Sequence, residues 1–286
     1  MSTDIQNCNI VIPAKNEAEG LSQLLPRLLD LVEAKKIIVV NDGSTDETAS
    51  ICQRHGIRLV NHPYSMGNGA AIKSGARQAT EEIVVFMDAD GQHNPDDIPR
   101  LVEALGSGYD MVVGARDSAS QASQTRHLGN TIYNRLASAI TGHTIRDLTS
   151  GFRAAITEKF REFLPLLPNG FSYPTTSTMA FFRAGYSVGY IPIAAGKRLG
   201  SSHISILKDG ARFFLIIFKI GTLYSPLKIF LPISLFFLAT GSAYSAYTLL
   251  GKGHFTNMSA LLLSMSVLIF LIGLVSEQIT ALLYRD

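Results

Sequence analysis

The chain has 286 residues, with 25 Lys and Arg against 23 Asp and Glu. A net charge of +2, spread along the chain, excludes the clustered basic face that nucleic acid requires. Cys8 and Cys52 form no CxxC pair, which excludes a cysteine metal site and suits a reduced, cytosolic setting.

The length permits one α/β domain with an appendage. Residues 1–9 are polar, so no secretory leader is expected. Residues 8–115 then alternate short apolar runs with helical spacings, the pattern of a parallel α/β sheet. Strands are expected over 9–12, 37–40, 57–60, 83–87 and 111–113, and helices over 21–32, 45–55, 68–80 and 96–105. Ser44 or Thr45 is the expected N-cap of the second helix, with Glu47 in its first turn. Gly67-Asn68-Gly69 lacks the third glycine of a dinucleotide fingerprint and follows the third strand, not the first.

Ligands of open parallel sheets bind beyond the carboxyl ends of the strands. Three such exits carry acids: Pro13-Ala14-Lys15-Asn16-Glu17, Asn41-Asp42-Gly43-Ser44 and Asp88-Ala89-Asp90-Gly91-Gln92. Asp88 and Asp90, two apart after an apolar strand, are expected to face one cavity. Their oxygens suit Mg²⁺ or Mn²⁺ completed by substrate phosphates. No His is paired with a nucleophilic Ser or Cys, so hydrolase chemistry has no support.

Most of the charge lies before Lys228, and most long apolar runs lie after Gly210. Residues 206–220 mix Lys208, Asp209, Arg212 and Lys219 with five large apolar side chains and read as an interfacial amphipathic helix. Residues 229–250 and 258–276 carry no charge, and at ~1.5 Å per residue each can cross a ~30 Å bilayer core. The turn-rich residues 251–257 between them make a helical hairpin. Lys208, Arg212, Lys219, Lys228 and Arg285 outweigh Lys252 and His254 in the hairpin loop, placing both termini in the cytosol. Glu277 then sits at the interface, not in a proton relay. Gly241 and Ser245 form a small-xxx-small pair able to seat a neighbouring helix, so a homo-oligomer is open.

The segments Val11 to Glu17, Val39 to Asp46, Asp88 to His93, Gly114-Ala115-Arg116 and Asp147 to Arg153 together resemble the inverting family 2 glycosyltransferases. The similarity is greatest to the polyprenyl-phosphate sugar transferases, acting on dolichyl or undecaprenyl phosphate. It spans positions 10 to about 205. It implies a GT-A, Rossmann-like, mostly parallel sheet domain over 1–205, an interfacial segment over 206–228 and a transmembrane hairpin over 229–286.

By that resemblance, Pro13, Ala14, Glu17 and Asp42 hold the donor's base and ribose. Asp88 and Ala89 contact its ribose and phosphate, Asp90 and Gln92 ligate the metal with Asp88 beside them, and Arg198 belongs to a basic loop that closes over the diphosphate. Arg116 and Arg126 bind the lipid phosphate or the donor diphosphate. Asp147 is the candidate base, with a positioning role standing equally beside it, because a phosphate acceptor (second pKa ~6) needs little deprotonation. Arg135 and Arg153 fit lipid headgroup partners at least as well as catalysts.

Lys15 and Asn41 depart from the family pattern, which leaves the base and sugar open. The Q-x-x-R-W signature of processive synthases is absent, since the chain has no Trp. The expected reaction moves one sugar from a nucleotide-diphosphate sugar, UDP-glucose first and GDP-mannose as the alternative, to a membrane polyprenyl phosphate. An inactive membrane scaffold is the rival of another class, and would not need Asp90, Gln92 and Arg116.

Overall fold

The apolar run at the start of the chain forms β1 (Cys8–Ala14), whose residues 8–12 are all buried. A strand covered on both faces has no need of alternation, which is why this run reads continuously apolar. The computed structural model describes residues 4–116, 124–170, 172–194, 196, 218, 221–222 and 224–283, with side chains from 129 onward in the helix that begins at 124 and up to 282 in the last. The chain divides into two compact units, Met1–Ser138 with His143–Ser205, and Ala139–Gly142 with Ile206–Asp286.

In the first unit, β1 is followed by α1 (Ala18–Leu29), β2 (Ile37–Asn41), α2 (Thr48–Arg54), β3 (Arg58–Asn61), α3 (Asn68–Gln78) and β4 (Ile83–Phe86). Then come α4 (Ile98–Gly106), β5 (Met111–Arg116), α5 (Gln124–Thr141), β6 (Arg153–Ile156), α6 (Thr157–Glu162), α7 (Tyr173–Arg183) and β7 (Val188–Ile193). Among the described residues, seven strands make one sheet in the order β3-β2-β1-β4-β6-β5-β7. Only β6 runs antiparallel to its neighbours β4 and β5. Leu21, Leu24, Leu25 and Leu28 of α1 sit on one face and are buried in the core. Each such side chain contributes about 1.5–3 kcal/mol of burial.

Each strand and helix expected up to residue 113 is present, with ends shifted by a few residues. The expected cap of α2 is a correction. The N-cap is Glu47, expected in the first turn, and its side chain makes no cap hydrogen bond; Asp46 Oδ1, not Ser44 or Thr45, accepts from the Thr48 amide at 3.0 Å. Ser44 Oγ accepts from the Asn16 amide, and the Thr45 amide donates to Asn16 Oδ1, so both residues stitch the β1 exit to the β2 exit. Asn16 occupies the left-handed region at φ 56° to make that stitch, a conformation Asn tolerates better than most residues.

The glycines at the start of α3 pack against a loop. The amides of Gly69 and Ala70 donate to the carbonyls of Gly170 and Asn169, so they are engaged by the chain itself and not presented to a phosphate. Cys8 and Cys52 are buried free thiols, pushed up to about 12 and about 11 by burial, which keeps both unreactive.

The second unit contains α8 (Pro226–Lys252) and α9 (Asn257–Leu283), each long and apolar enough to cross a membrane. They run antiparallel, joined by a turn in which Gly253 adopts φ 69°. Ser234 and Ser266 exchange hydroxyl-to-carbonyl hydrogen bonds at 2.9 and 3.0 Å, satisfying polar groups that lipid could not. A Cβ on Gly241 would stand 3.0 Å from Leu262 Cβ and 3.2 Å from the Leu263 amide. The small pair Gly241 and Ser245, both buried, therefore seats the chain's own second helix. Glu277 Oε2 accepts from the Leu227 amide at 3.1 Å, in the first turn of α8. A carboxylate at a helix N-terminus is stabilised by the exposed N–H groups there. The expected interfacial helix over 206–220 lies outside the described residues except for Phe218.

Candidate functional site

The site collects at the carboxyl ends of β1, β2, β4 and β5, where the sheet hands the chain to loops. At the β1 exit Pro13 is partly buried and Ala14 buried, and the Ala14 carbonyl accepts from the Asp42 amide at 2.8 Å. Glu17 and Ala89 meet across Gly20. A Cβ there would overlap the Ala89 carbonyl and come within 3.6 Å of Glu17 Oε2, so only glycine lets α1 approach the β4 exit.

Asp42 is buried, and each of its oxygens accepts two hydrogen bonds. Oδ1 takes His62 Nδ1 and the Met66 amide, both at 2.7 Å. Oδ2 takes Ser65 Oγ at 2.8 Å and the Gly67 amide at 2.9 Å. Burial opposes ionisation, yet these donors hold the carboxyl below its usual range. Asp42 thus organises residues 62–67, and Lys15 Nζ reaches Ser65 Oγ of the same loop at 3.0 Å. Tyr64 and Met66 stand exposed on it.

The β4 exit holds the acidic pair. Asp90 is buried with Oδ1 accepting from the Gln92 amide at 3.1 Å, and Asp88 is half-buried. A Cβ on Gly151 would lie 2.8 Å from Asp88 Oδ2, so the carboxylate is seated against bare backbone. His93 stacks on Phe152 with ring centroids 5.0 Å apart and receives the Asp88 amide on Nδ1 at 3.4 Å. Burial pushes His93 down to about 4, so it is neutral at physiological pH. A cleft of about 220 Å³ beside this loop is lined by Arg27, Gly91, Gln92, His93, Asn94, Ala194 and Gly196. Gln92 borders it, but the two carboxylates do not. The charges of both favour the ionised form of Arg116.

Arg116, the last residue of β5, makes a two-pronged ion pair with Asp147: Nε to Oδ2 at 2.8 Å and Nη2 to Oδ1 at 3.0 Å. Its Nη2 also donates to Thr149 Oγ1 at 2.6 Å, and its amide to Asp147 Oδ2 at 3.2 Å. Among the described residues Nη1 makes no hydrogen bond. Asp147 further accepts from the amides of Thr149 and Ser150, both at 3.1 Å. Burial raises the carboxyl, but the Arg116 guanidinium and these amides outweigh it and hold it well below the usual range. Burial would lower Arg116 in turn, and Asp147 holds it up, so both stay charged.

Asp88, Asp90, Arg116 and Asp147 are thus brought together, with Gln92 on the same loop. Arg126 lies on α5 with its side chain outside the described residues, and Arg198 is outside them altogether. Arg135 is exposed on α5. The reading of Arg153 as a headgroup partner is overturned: its side chain is 0% exposed, in the core beneath the 147–152 turn. That turn, with Tyr173 and Thr149, is the part of the site that spacing alone did not reveal. Its only sequence signal was the motif Asp147 to Arg153.

Among the described residues no cluster of three or more acidic, His or Cys side chains could hold a metal alone. The Asp88 carboxylate over the bare backbone of Gly151 and the buried Asp90 carboxylate two residues on are oxygen donors of the kind a hard divalent cation takes, its remaining ligands coming from a substrate.

A mostly parallel sheet with acids at successive strand exits and an antiparallel β6 is the GT-A architecture of nucleotide-sugar transferases. The fold matches glucosyl-3-phosphoglycerate synthase from Mycobacterium tuberculosis, solved with Mn²⁺, UDP-glucose and phosphoglyceric acid, with a TM-score of 0.60, 21% identity and coverage of 76% of this chain and 80% of that one. The glycosyl transferase family 2 profile matches residues 9–164, more than half of the chain, and the chain belongs to that family. A second profile, the GtrB C-terminal hairpin, matches residues 225–282, and the protein is membrane-associated.

Undecaprenyl-phosphate 4-deoxy-4-formamido-L-arabinose transferase of Photorhabdus laumondii is 33% identical over 190 residues, 60% of this chain and 58% of that protein. The chain thus spans less than two thirds of the length of such curated relatives. Glycosyltransferase AglJ of Haloferax volcanii is 27% identical over 96% of this chain and 93% of its own length.

Proposed function

We propose that this chain transfers one sugar from a nucleotide-diphosphate sugar to a membrane polyprenyl phosphate, with inversion and with a divalent metal. The observation that carries the reading is the Arg116 fork, locked by Asp147 through Nε and Nη2, with the charges of Asp88 and Asp90 near enough to favour its ionised form. An arginine so held is suited to an anionic oxygen. Relatives named for undecaprenyl phosphate support that acceptor, and the UDP-glucose and Mn²⁺ of the structural neighbour support that donor and ion.

In this mechanism an oxygen of the lipid phosphate attacks the sugar's anomeric carbon while the nucleoside diphosphate departs. The acceptor is already largely dianionic at neutral pH, so the step needs no strong base. Asp147 therefore aims Arg116 and does not take a proton. Arg116 Nη1 binds phosphate oxygen, and Asp88, Asp90 and Gln92 would hold a divalent cation, which would supply positive charge for the leaving diphosphate. Asp42, through residues 62–67, shapes the base and ribose site with Pro13, Ala14 and Glu17, while Ala89 lines the donor. Arg126 and Arg198 supply further positive charge to the phosphates. UDP-glucose is the first donor to test, and GDP-mannose the second.

The assignment extends to a catalytic domain over 1–205, an interfacial segment over 206–228 and a hairpin over 229–286. Two membrane spans leave both termini in the cytosol, as the flanking cations require.

The test is an assay of the purified full chain in detergent with undecaprenyl or dolichyl phosphate, Mg²⁺ or Mn²⁺, and a panel of UDP- and GDP-sugars. A lipid-linked sugar from one donor, abolished by EDTA, is expected. No lipid-linked product from any donor overturns the reading.

A further inference from the structure

Arg153 begins β6, in register with Phe86 of β4 and Val113 of β5, and is fully buried. Its Nη1 donates to the Pro174 carbonyl at 2.9 Å, Ser177 Oγ at 2.8 Å and Thr178 Oγ1 at 3.1 Å, all on the first turns of α7. Its Nη2 donates to the Ser150 carbonyl. The guanidinium carbon lies 5.7 Å from the centroid of the Tyr173 ring, and Tyr173 Oη donates to the next carbonyl along, Gly151, at 2.9 Å. One helix start therefore grips two successive carbonyls of the 147–152 turn. Ser172 enters that helix at φ 87°, a left-handed conformation rare outside glycine.

As a stability device this arrangement is poor. Among the described residues Arg153 has no ion-pair partner, and its Nε, with Ser150 Oγ and Tyr190 Oη, has no hydrogen-bond partner. A buried, incompletely satisfied charge costs free energy, and an apolar side chain of similar volume often serves a core equally well or better. Violations of this kind concentrate where function demands them. The turn it grips carries both halves of the site: Asp147 at its start holds Arg116, and Gly151 seats Asp88.

We propose that Arg153, with Tyr173, is a positioning residue that clamps the 147–152 turn so that Asp88 and Arg116 keep their placement for sugar transfer. The proposal rests on the reading of Asp88 and Arg116 as substrate-facing groups given above. It differs from a packing role in one respect that can be measured: the clamp acts on the turn and the site, not on the core.

The experiment compares the full chain in detergent with Arg153→Met and Tyr173→Phe. It reads the thermal unfolding midpoint, hydrogen exchange at the amides of Thr149 and Ser150, Mn²⁺ binding by electron paramagnetic resonance with UDP present, and kcat against donor KM. Arg153→Met is expected to keep the unfolding midpoint while exchange at Thr149 and Ser150 rises at least about tenfold, as for a local opening. Mn²⁺ affinity falls by about 10–100-fold, as for loss of an outer-shell partner, and kcat falls more than donor KM rises. A folded Arg153→Met with wild-type exchange at those amides and wild-type Mn²⁺ affinity overturns the proposal. If Arg153→Met fails to fold, Tyr173→Phe, which removes one hydroxyl, takes its place with the same readouts, and wild-type exchange and Mn²⁺ affinity in that variant overturn the proposal equally. Failure of the wild-type chain to bind Mn²⁺ or UDP, or to make any lipid-linked sugar, sinks the functional reading instead. The exchange comparison still decides whether the clamp exists.

Discussion

Truncating Arg116 and Asp147 singly and together isolates the interaction on which the site depends. The pair joins through two charge-assisted hydrogen bonds, at 2.8 and 3.0 Å, with side chains 26% and 4% exposed. Bonds of this kind contribute about 1.5–3 kcal/mol each, and the partial exposure of Arg116 argues for the lower end. A coupling energy of about 2–3 kcal/mol is expected from chemical unfolding of Arg116→Ala, Asp147→Ala and the double variant in detergent. Because Asp147 acts through Arg116, its loss adds little to kcat/KM once Arg116 is gone. The Asp147 carboxyl is held below its usual value, so its contribution is complete above the unfolded pKa of ~3.9. It is lost only as pH falls through the lower folded value, and the coupling is therefore flat from pH 5 to 8. A coupling under about 0.5 kcal/mol, or rate losses that simply multiply, would refute the reasoning.

Gly151→Ala places a methyl 2.8 Å from Asp88 Oδ2 and 3.2 Å from Tyr173 Oη, so steady-state kinetics are expected to show at least about a tenfold loss in kcat/KM with little change in unfolding midpoint. Asp42→Asn turns donors toward donors in the 62–67 loop, costing about 1–3 kcal/mol and raising the KM for nucleotide sugar. Since the Asp42 carboxyl is also held low, its charge-dependent contribution is constant at neutral pH and is lost below the unfolded pKa of ~3.9, which unfolding at stepped pH will show. Gly241→Leu overpacks the contact with Leu262 and Leu263 by about 1–3 kcal/mol. It lowers stability in detergent and leaves nucleotide-sugar binding and oligomeric state unchanged, as calorimetry and light scattering would report.

The first half of the sheet was legible because β1, β2 and β4 are buried on both faces. Runs such as Ile37-Ile38-Val39-Val40 then have one physical reading between turn signals. The strand exits and their acids followed from that reading. The region after Arg116 was not legible in the same way. Strand β6 is four residues long and begins with an arginine, so no apolar period announces it, and nothing local marks it as antiparallel. The cap of α2 differs from the expected one because Ser44 and Thr45 satisfy a neighbouring exit through Asn16, a tertiary demand that overrides local preference. Arg153 escaped for a related reason. A basic residue in a membrane-associated chain has an ordinary surface explanation, and only the fold shows that Pro174, Ser177 and Thr178 converge on it. The hairpin was legible from length and charge alone, but not that Gly241 faces Leu262 and Leu263 of the same chain.

The fate of Asp147 shows what the geometry adds to the chemistry. Residue type alone divides it between proton acceptor and positioning group, since either suits an acid among arginines. The structure surrounds it with donors from Arg116, Thr149 and Ser150, an environment that stabilises the carboxylate and leaves it a feeble base. A phosphate nucleophile needs no such base. It does need positive charge, because it approaches a second anion over ground already held by Asp88 and Asp90. Among the described residues, Asp88, Asp90 and Asp147 gather around the guanidinium of Arg116 while Arg153 lies buried beneath the turn, so negative charge predominates before any substrate arrives. A divalent ion reverses that sign. In this scheme Asp147 does not activate the acceptor; it keeps Arg116 aligned, so that the Nη1 edge is in place when the phosphate arrives.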